Sequence, residues 1–334
     1  MAKNANLNKA KDAKVDEFYT RREDIEAELS HYREHFKDKV VYCNCDDPTW
    51  SEFWQFFVRV FKDWGLKKLM ATHYEPDEKN FAYKLEITED TNGDGKIDWK
   101  DEPTITQIQC NGDFRSQICI DMLKEADIVV TNPPFSLIRE YIAQLMEYNK
   151  KFLIIGPLSA VSGKDIFPLL KDNKVWIGYS HPKVFRVPDG TKNNSTYVEN
   201  GVTYQKFGNV QWYTNLDIPK RHANLDLRGN YYRYSDFPHY DNYDGIDVDK
   251  INNIPCDYDG HMGVPISFME VYNPEQFEII GFGKGELAQS IGVAKNYRGR
   301  SDLAYHVDEK NFCPFGRLIV RLKNPEPRRY PDDN

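Results

Sequence analysis

The stretch 127–135 constrains this chain more than any other. Asp127-Ile128-Val129-Val130-Thr131 is a short β-branched run, the pattern of a buried strand. Asn132-Pro133-Pro134-Phe135 follows at once, and a helical pattern runs from Leu137 to Tyr148. Two prolines fix φ through the loop and keep it from wandering. The Asn132 side-chain oxygen and the Pro133 carbonyl are both acceptors, able to converge on one N–H₂ group. Phe135 offers a face on which a planar ring can stack. A Pro-rich turn after a core strand would carry the same four residues. The strand before and the helix after supply the context that such a short motif needs.

Other runs repeat the pattern. Val40 to Cys45 reads as a strand ended by Asp46-Asp47-Pro48, with a helix-like stretch from Trp50 to Phe61. Lys68 to Tyr74 reads as the next strand and Glu75 ends it. Lys151–Pro157, Lys174–Tyr179 and Asn209–Thr214 read as further strands. Before them, Ile25, Leu29, Tyr32 and Phe36 fall at helical spacing between Arg22 and Phe36. These elements predict an α/β fold with a doubly wound, mostly parallel sheet over 16–215, behind a flexible arm at 1–15. Carboxylates at the C-terminal ends of such strands lie where doubly wound folds bind ligands, which selects Asp46, Asp47 and Glu75. The Gly-rich turn common at that place is missing.

Residues 81–109 read as a hairpin inserted in this sheet. Its tip fits a calcium-loop pattern at Asp90, Asn92, Asp94, Gly95, Ile97, Asp98 and Asp101. The flanks look like strands rather than helices, and an Asn-Gly/Asp-Gly turn is the competing explanation. From 216 onward strand–helix alternation stops. Tyr231, Tyr232, Tyr234, Tyr240 and Tyr243 sit in polar surroundings, and Arg317, Arg321, Lys323, Arg328 and Arg329 make the end basic. Region 216–334 is a candidate recognition region, with loops for readout and basic residues for phosphates. An oligomerisation or capping domain is the alternative.

The chain has 334 residues, enough for two domains, with 40% hydrophobic and 29% charged residues. A net charge of −8 counts against a wholly basic nucleic-acid binder but allows a local positive cleft. No apolar run approaches a membrane span, and the polar N-terminus is no secretory signal. The six cysteines show neither zinc spacing nor a disulfide framework, as expected of reduced thiols in a cytoplasmic protein.

Asn132-Pro133-Pro134-Phe135 resembles the catalytic motif of the amino-methyltransferases, which act on adenine N6, cytosine N4 or glutamine. Longer blocks narrow the resemblance to the EcoRI-type adenine-specific DNA methyltransferases. They include Asp16-Glu17-Phe18-Tyr19-Thr20, Tyr32-Arg33-Glu34-His35-Phe36, the run from Val40 to Pro48, Gly112-Asp113-Phe114-Arg115-Ser116 and the run from Asp127 to Leu137. Thr214-Asn215-Leu216-Asp217, Tyr240-Asp241-Asn242-Tyr243, Met262-Gly263-Val264-Pro265-Ile266 and the run from Asn273 to Glu278 continue it.

What the resemblance implies is an S-adenosylmethionine-dependent enzyme, with a Rossmann-like catalytic domain, that methylates N6 of a flipped-out adenine in double-stranded DNA. Restriction protection or epigenetic marking would be its purpose. Asn132, Pro133, Pro134 and Phe135 are then the catalytic residues, and Phe135 and Phe185 stack on the base. Cofactor contacts are implied at Tyr19, Thr20, Asn44, Cys45, Asp46, Asp47, Glu75, Asp113, Phe114 and Asn132. Asp113 would accept from the cofactor's adenine amine, and Asp46 or Asp47 would meet its ammonium or sulfonium charge. No metal is required and no obligatory protein partner or membrane is implied. An RNA or protein-glutamine methyltransferase, or an inactive DNA-binding homologue, are the rival readings.

Overall fold

The chain divides into two units. One comprises Met1–Ala160 and Ile177–Leu216, the other Val161–Trp176 and Asp217–Asn334. The computed structural model describes residues 18–45, 47–49, 51–75, 81–88, 91, 101–233 and 236–328. The N-terminal arm, Asp46, most of the hairpin tip, Tyr234 and Arg329 lie outside the described residues.

In the first unit, β1 (Tyr19–Thr20) leads into α1 (Arg22–Leu29), which continues as a 3₁₀ turn to His35. Then come β2 (Val40–Cys43), α2 (Glu52–Trp64), β3 (Lys68–Thr72) and the hairpin β4 (Tyr83–Ile87) and β5 (Thr104–Gln107). Next are α3 (Gln117–Glu125), β6 (Ile128–Thr131), α4 (Ile138–Glu147) and β7 (Lys151–Pro157). The short strand β8 (Trp176–Ile177), whose second residue reopens this unit, precedes β9 (Val184–Arg186), β10 (Thr196–Glu199), β11 (Val202–Lys206) and β12 (Val210–Thr214).

The main sheet runs in the order β5-β4-β3-β2-β6-β7-β12-β8. β3, β2, β6 and β7 are parallel, whereas β4, β5 and β12 are antiparallel additions. Every residue of β2 and β6 is buried, as expected of parallel strands covered on both faces. α2 connects β2 to β3 and buries Phe53, Trp54, Phe57, Phe61 and Trp64. Each fully buried Phe contributes roughly 1.5–3 kcal/mol. Gly65, at φ 66°, stops that helix in the left-handed conformation. From β2 the chain winds to β3 on one side and returns to β6 on the other. The order therefore reverses at the β2–β6 pair, a topological switch point.

A second, antiparallel sheet has the order β1-β9-β11-β10. It sets Tyr19 opposite Arg186 and Thr20 opposite Phe185. α1 is anchored nearby through a fully buried carboxylate. Glu28 accepts from the Tyr32 hydroxyl (2.8 Å), the Tyr179 N–H (2.8 Å) and both the N–H and hydroxyl of Ser180 (2.6 and 2.8 Å). Four donors satisfy a charge that would otherwise be expensive to bury.

The second unit is more regular than its sequence pattern. It includes β13 (Ile246–Asp247), β14 (Met262–Pro265), β15 (Phe277–Phe282), β16 (Tyr305–Val307), β17 (Lys310–Phe312) and β18 (Arg317–Leu322). β13-β14-β18-β15 form a sheet. β18 hides Leu318, Ile319, Val320 and Leu322, so it lacks the alternation by which half-buried strands are recognised. Arg317 pairs with the buried Asp247 (2.8 Å), Arg321 with Glu278 (2.6 Å) and Arg328 with Asp259 (2.8 Å). Three of the five residues that make the C-terminal end basic are thus each paired with a carboxylate. Among the described residues no helix is long and apolar enough to cross a membrane.

Candidate functional site at the β2–β6 switch

The ends of β2 and β6 are tied together directly. The Thr131 hydroxyl donates to the Asn44 carbonyl, and the Tyr141 hydroxyl donates to Asn44 Oδ1. Tyr141 is wholly buried, and burial pushes its phenol far above the usual range, so it remains a donor. Asn44 is thus gripped at backbone and side chain. Cys45, the next residue, has φ 73°. A cysteine takes the left-handed conformation at the turn where the sequence lacks glycine, at a cost of about 1–2 kcal/mol.

Asn132 is 5% exposed and donates through Nδ2 to the carbonyl of Phe18, 114 positions earlier. β1 makes this possible, since its pairing with β9 brings the N-terminal segment to the end of β6. With Nδ2 committed, Oδ1 is buried and has no hydrogen-bond partner among the described residues. A buried acceptor left this way costs about 1–3 kcal/mol and asks for a donor. Thr20 Oγ1 on β1 is a second such atom.

Beside Asn132 four phenylalanines meet. Ring centroids of Phe18 lie 5.5 Å from Phe135 and 4.6 Å from Phe207, and Phe185 lies 5.4 Å from Phe207. Phe135 is half-buried, opening a 3₁₀ turn behind Pro134. Phe185 is fully buried and meets Phe135 edge-on, 6.4 Å away at 88°. The two rings expected to face one another across a base are therefore perpendicular here, with Phe185 behind the others. Phe207 carried no signal in the sequence. Phe18 lay within a quoted block, but the role of its carbonyl is a backbone property that no side-chain pattern reports.

Polar groups gather beyond the C-terminal ends of β2 and β3. Asp47 accepts from the N–H and hydroxyl of Thr49 (2.9 and 2.7 Å) and from the Tyr83 hydroxyl (3.3 Å). Burial first, and then the Asp47 charge, push the Tyr83 phenol up to about 12. His73 lies between two carboxylates, 3.4 Å from Asp47 and 3.6 Å from Glu75, and stacks on Tyr83 at 4.8 Å. Sequence reading selected both carboxylates and passed over the histidine that joins them. Tyr19, on β1, and Cys45 are only partly buried.

Gly112 fixes the remaining wall. Its φ is 74°, and a Cβ there would lie 2.0 Å from the His73 carbonyl oxygen. Only glycine lets the 111–114 turn lie against the end of β3, where the Glu75 N–H donates to the Asn111 carbonyl (2.8 Å). Asp113 does not wait with an empty carboxylate. Arg115 donates to it through Nε (2.8 Å), Nη2 (2.6 Å) and its backbone N–H (2.9 Å), and holds the carboxyl below the usual range. Of its lone pairs only the remainder is open to another donor. Phe114 is buried and packs edge-on against Tyr141 at 5.0 Å.

The calcium reading of the hairpin gains no support. Among the described residues no group of three His, Cys, Asp or Glu is placed to hold a metal ion. Of the seven loop positions only Asp101 is described, and its Oδ1 accepts from the N–H and hydroxyl of Thr91 (2.7 and 3.1 Å).

Comparison with known proteins sets this geometry in a family. The model of the adenine-specific methyltransferase EcoRI family matches residues 6–323. The type II methyltransferase M.EcoRI of Escherichia coli is 43% identical, over 97% of this chain and 99% of its own. M.MpnI of Mycoplasma pneumoniae is 41% identical over 82% of this chain and 84% of its own, and M.MgeORF184P of Mycoplasma genitalium 39% over 82% and 85%. No solved structure gives a significant match. A family model spanning nearly the whole chain, together with relatives of this identity, places the chain in the EcoRI family of adenine-specific methyltransferases.

Proposed function

We propose that this chain transfers a methyl group from S-adenosylmethionine to N6 of an adenine held outside a DNA duplex, at a specific sequence and as the modification half of a restriction–modification pair. Family membership supports the reaction class. The observation that carries the assignment to this crevice is Asn132 Oδ1, a buried acceptor without a partner, oriented by the Phe18 carbonyl beside a half-buried aromatic ring.

The residues at the switch fit the cofactor. Asp47 and Glu75 offer negative charge to a cationic ligand, and Thr20 Oγ1 is a hydrogen-bonding group without a partner among the described residues. The first unit is on this reading a Rossmann-like methyltransferase domain, with the switch-point crevice as its ligand site. When bound, S-adenosylmethionine supplies an electrophilic methyl group on its sulfonium. The second unit serves target recognition. The protein works in the cytoplasm, where its DNA is.

The chain's own part is positioning. An adenine amine is a weak nucleophile because its lone pair is delocalised into the ring. Asn132 Oδ1 and the Pro133 carbonyl accept from N6–H and favour the tetrahedral nitrogen, whose lone pair is then free to react. Because Nδ2 is pinned, the acceptor needs no reorganisation at that moment. Phe135 stacks on the base and offsets part of the few kcal/mol that extrusion from the duplex costs. Phe185 and Phe207 back that ring instead of forming a second wall. Asn132→Ala should lower the single-turnover methyl-transfer rate by on the order of 10²-fold or more while DNA binding persists. Methylation at the wild-type rate by this variant would remove the crevice from the chemistry.

A further inference from the structure

The second unit holds a cationic surface that its paired C-terminal arginines do not explain. Residues 284–300 carry Lys284, Lys295, Arg298 and Arg300 against the single carboxylate of Glu286, in a chain of net charge −8. All four cations are exposed, and no ion pair is found for any of them among the described residues. The 296–300 turn lies against the 313–315 segment, where Asn296 Nδ2 donates to Cys313 Sγ (3.9 Å) and the Lys284 ammonium is 5.3 Å from the Phe315 ring, so Lys284 and the two arginines stand near one another. Asp302 adds a second carboxylate beside them, its Oδ1 accepting from the Gly285 N–H (3.1 Å), and the four cations still outnumber the two acids.

This surface is built rather than loose. Asn296 Oδ1 accepts from the backbone N–H of Arg298 (2.9 Å) and of Arg300 (3.3 Å), and Gly299 at φ 69° completes the turn. The buried Asn242 clamps both ends of the loop. Its Nδ2 donates to the carbonyls of Ala294 (2.8 Å) and Asp302 (2.9 Å), and its Oδ1 accepts from the Ala304 N–H (3.0 Å). Two arginines therefore project from a backbone that is fixed before anything binds. Aromatic rings stand among the charges. Tyr297 is 48% exposed with the Arg298 guanidinium 5.1 Å from its ring, and Phe315 is 78% exposed with the Lys284 ammonium 5.3 Å away. A phenylalanine that open adds nothing to a core, and each ring lies beside a cation that stays in water.

We propose that this face docks the sugar–phosphate backbone of duplex DNA, with Arg298 and Arg300 as phosphate-contacting residues and Lys284 beside them. The inference rests on the reading of the chain as a DNA methyltransferase. Phosphate contacts set position rather than sequence, so the loop fixes the register of the duplex for other residues to read. Each neutralised phosphate releases counterions and contributes close to one unit of salt dependence.

The test uses the full chain and a fluorescein-labelled duplex of mixed sequence, followed by anisotropy across a salt series. The Arg298→Gln/Arg300→Gln double variant should bind more weakly, with the slope of log affinity against log salt shallower than wild type by about two. Arg298→Lys/Arg300→Lys keeps both charges and should keep the slope. An unchanged slope in the glutamine variant, with wild-type melting, overturns the proposal and leaves the face to an acidic partner protein. A wild-type chain that bound no duplex would instead overturn the DNA reading itself, a separate outcome.

Discussion

The β2–β6 crevice and the 294–300 loop solve opposite problems. In the crevice the important polar atom, Asn132 Oδ1, is buried and has no partner. On the loop Arg298 and Arg300 are exposed, and hydrogen bonds hold only their backbone. A chemical site profits from desolvation, because a fixed acceptor in a dry setting acts more strongly on a developing charge. A backbone-binding surface profits from hydration, because its charges must exchange water and counterions for phosphate at little cost. In both, the rigid part is the support and the working group is left free. The difference lies in what it is free from: water in one, carboxylates in the other.

The contrast can be broken at several strengths. Gly112→Ala attacks the support of the crevice. An added Cβ 2.0 Å from the His73 carbonyl, at φ 74°, should cost about 2–5 kcal/mol of stability. A melting temperature equal to wild type would mean that the 111–114 turn is not locked against β3. Phe135→Ala removes the free face beside Asn132 and should lose about 1–3 kcal/mol of stacking. A 2-aminopurine at the target position would report this as poorer retention of the extruded base, distinct from Asn132→Ala, which holds the base and fails to methylate it.

Arg321→Gln tests the other side of the comparison. Arg321 is already paired with Glu278 at the surface, so its loss should change stability by no more than ~1 kcal/mol and leave the salt slope unchanged. A slope change as large as that of an Arg298 variant would erase the distinction between paired and free arginines. The smallest effect concerns His222, which bridges Asp217 (2.9 Å) and Glu275 (3.1 Å). Bonding to Asp217 and then Glu275 raises its pKa. Its stabilisation is then complete below the unfolded value of about 6.5 and is lost as pH rises through the raised value. NMR titration of the imidazole should give a midpoint above that of His222 in the Asp217→Asn variant, and equal midpoints would show that the bridge does not form in solution.

The parallel core was legible because buried strands and the helices over them leave local patterns. The residues 127–135 announce strand and loop, and the Phe and Trp spacing of α2 announces its buried face. The unread parts depend on groups far apart in the chain or on backbone geometry. No local signal says that Arg317 will meet Asp247, 70 positions earlier. Cys45 holds a positive φ that its residue type does not announce. Asp113 was selected as an acceptor for the cofactor, and its pairing with Arg115, two residues on, is an addition that the sequence could have suggested. The phenylalanine cluster was half visible through Phe135 and Phe185, but the assembly of Phe18 and Phe207 around them required the β1–β9 pairing.

That pairing also sets a timetable. During synthesis Tyr19 and Thr20 emerge first, while their partners Arg186 and Phe185 follow only after most of the first unit has been made. The parallel strands can assemble as they leave the ribosome, but the N-terminal segment must wait and then close over a long span of chain. Until it does, the Phe18 carbonyl is not beside Asn132 and the side-chain amide is free to turn either way. The 132–135 loop thus gains this orientation only once β9 has been made, and an unfinished polypeptide carries the motif without the Phe18 carbonyl that aligns it.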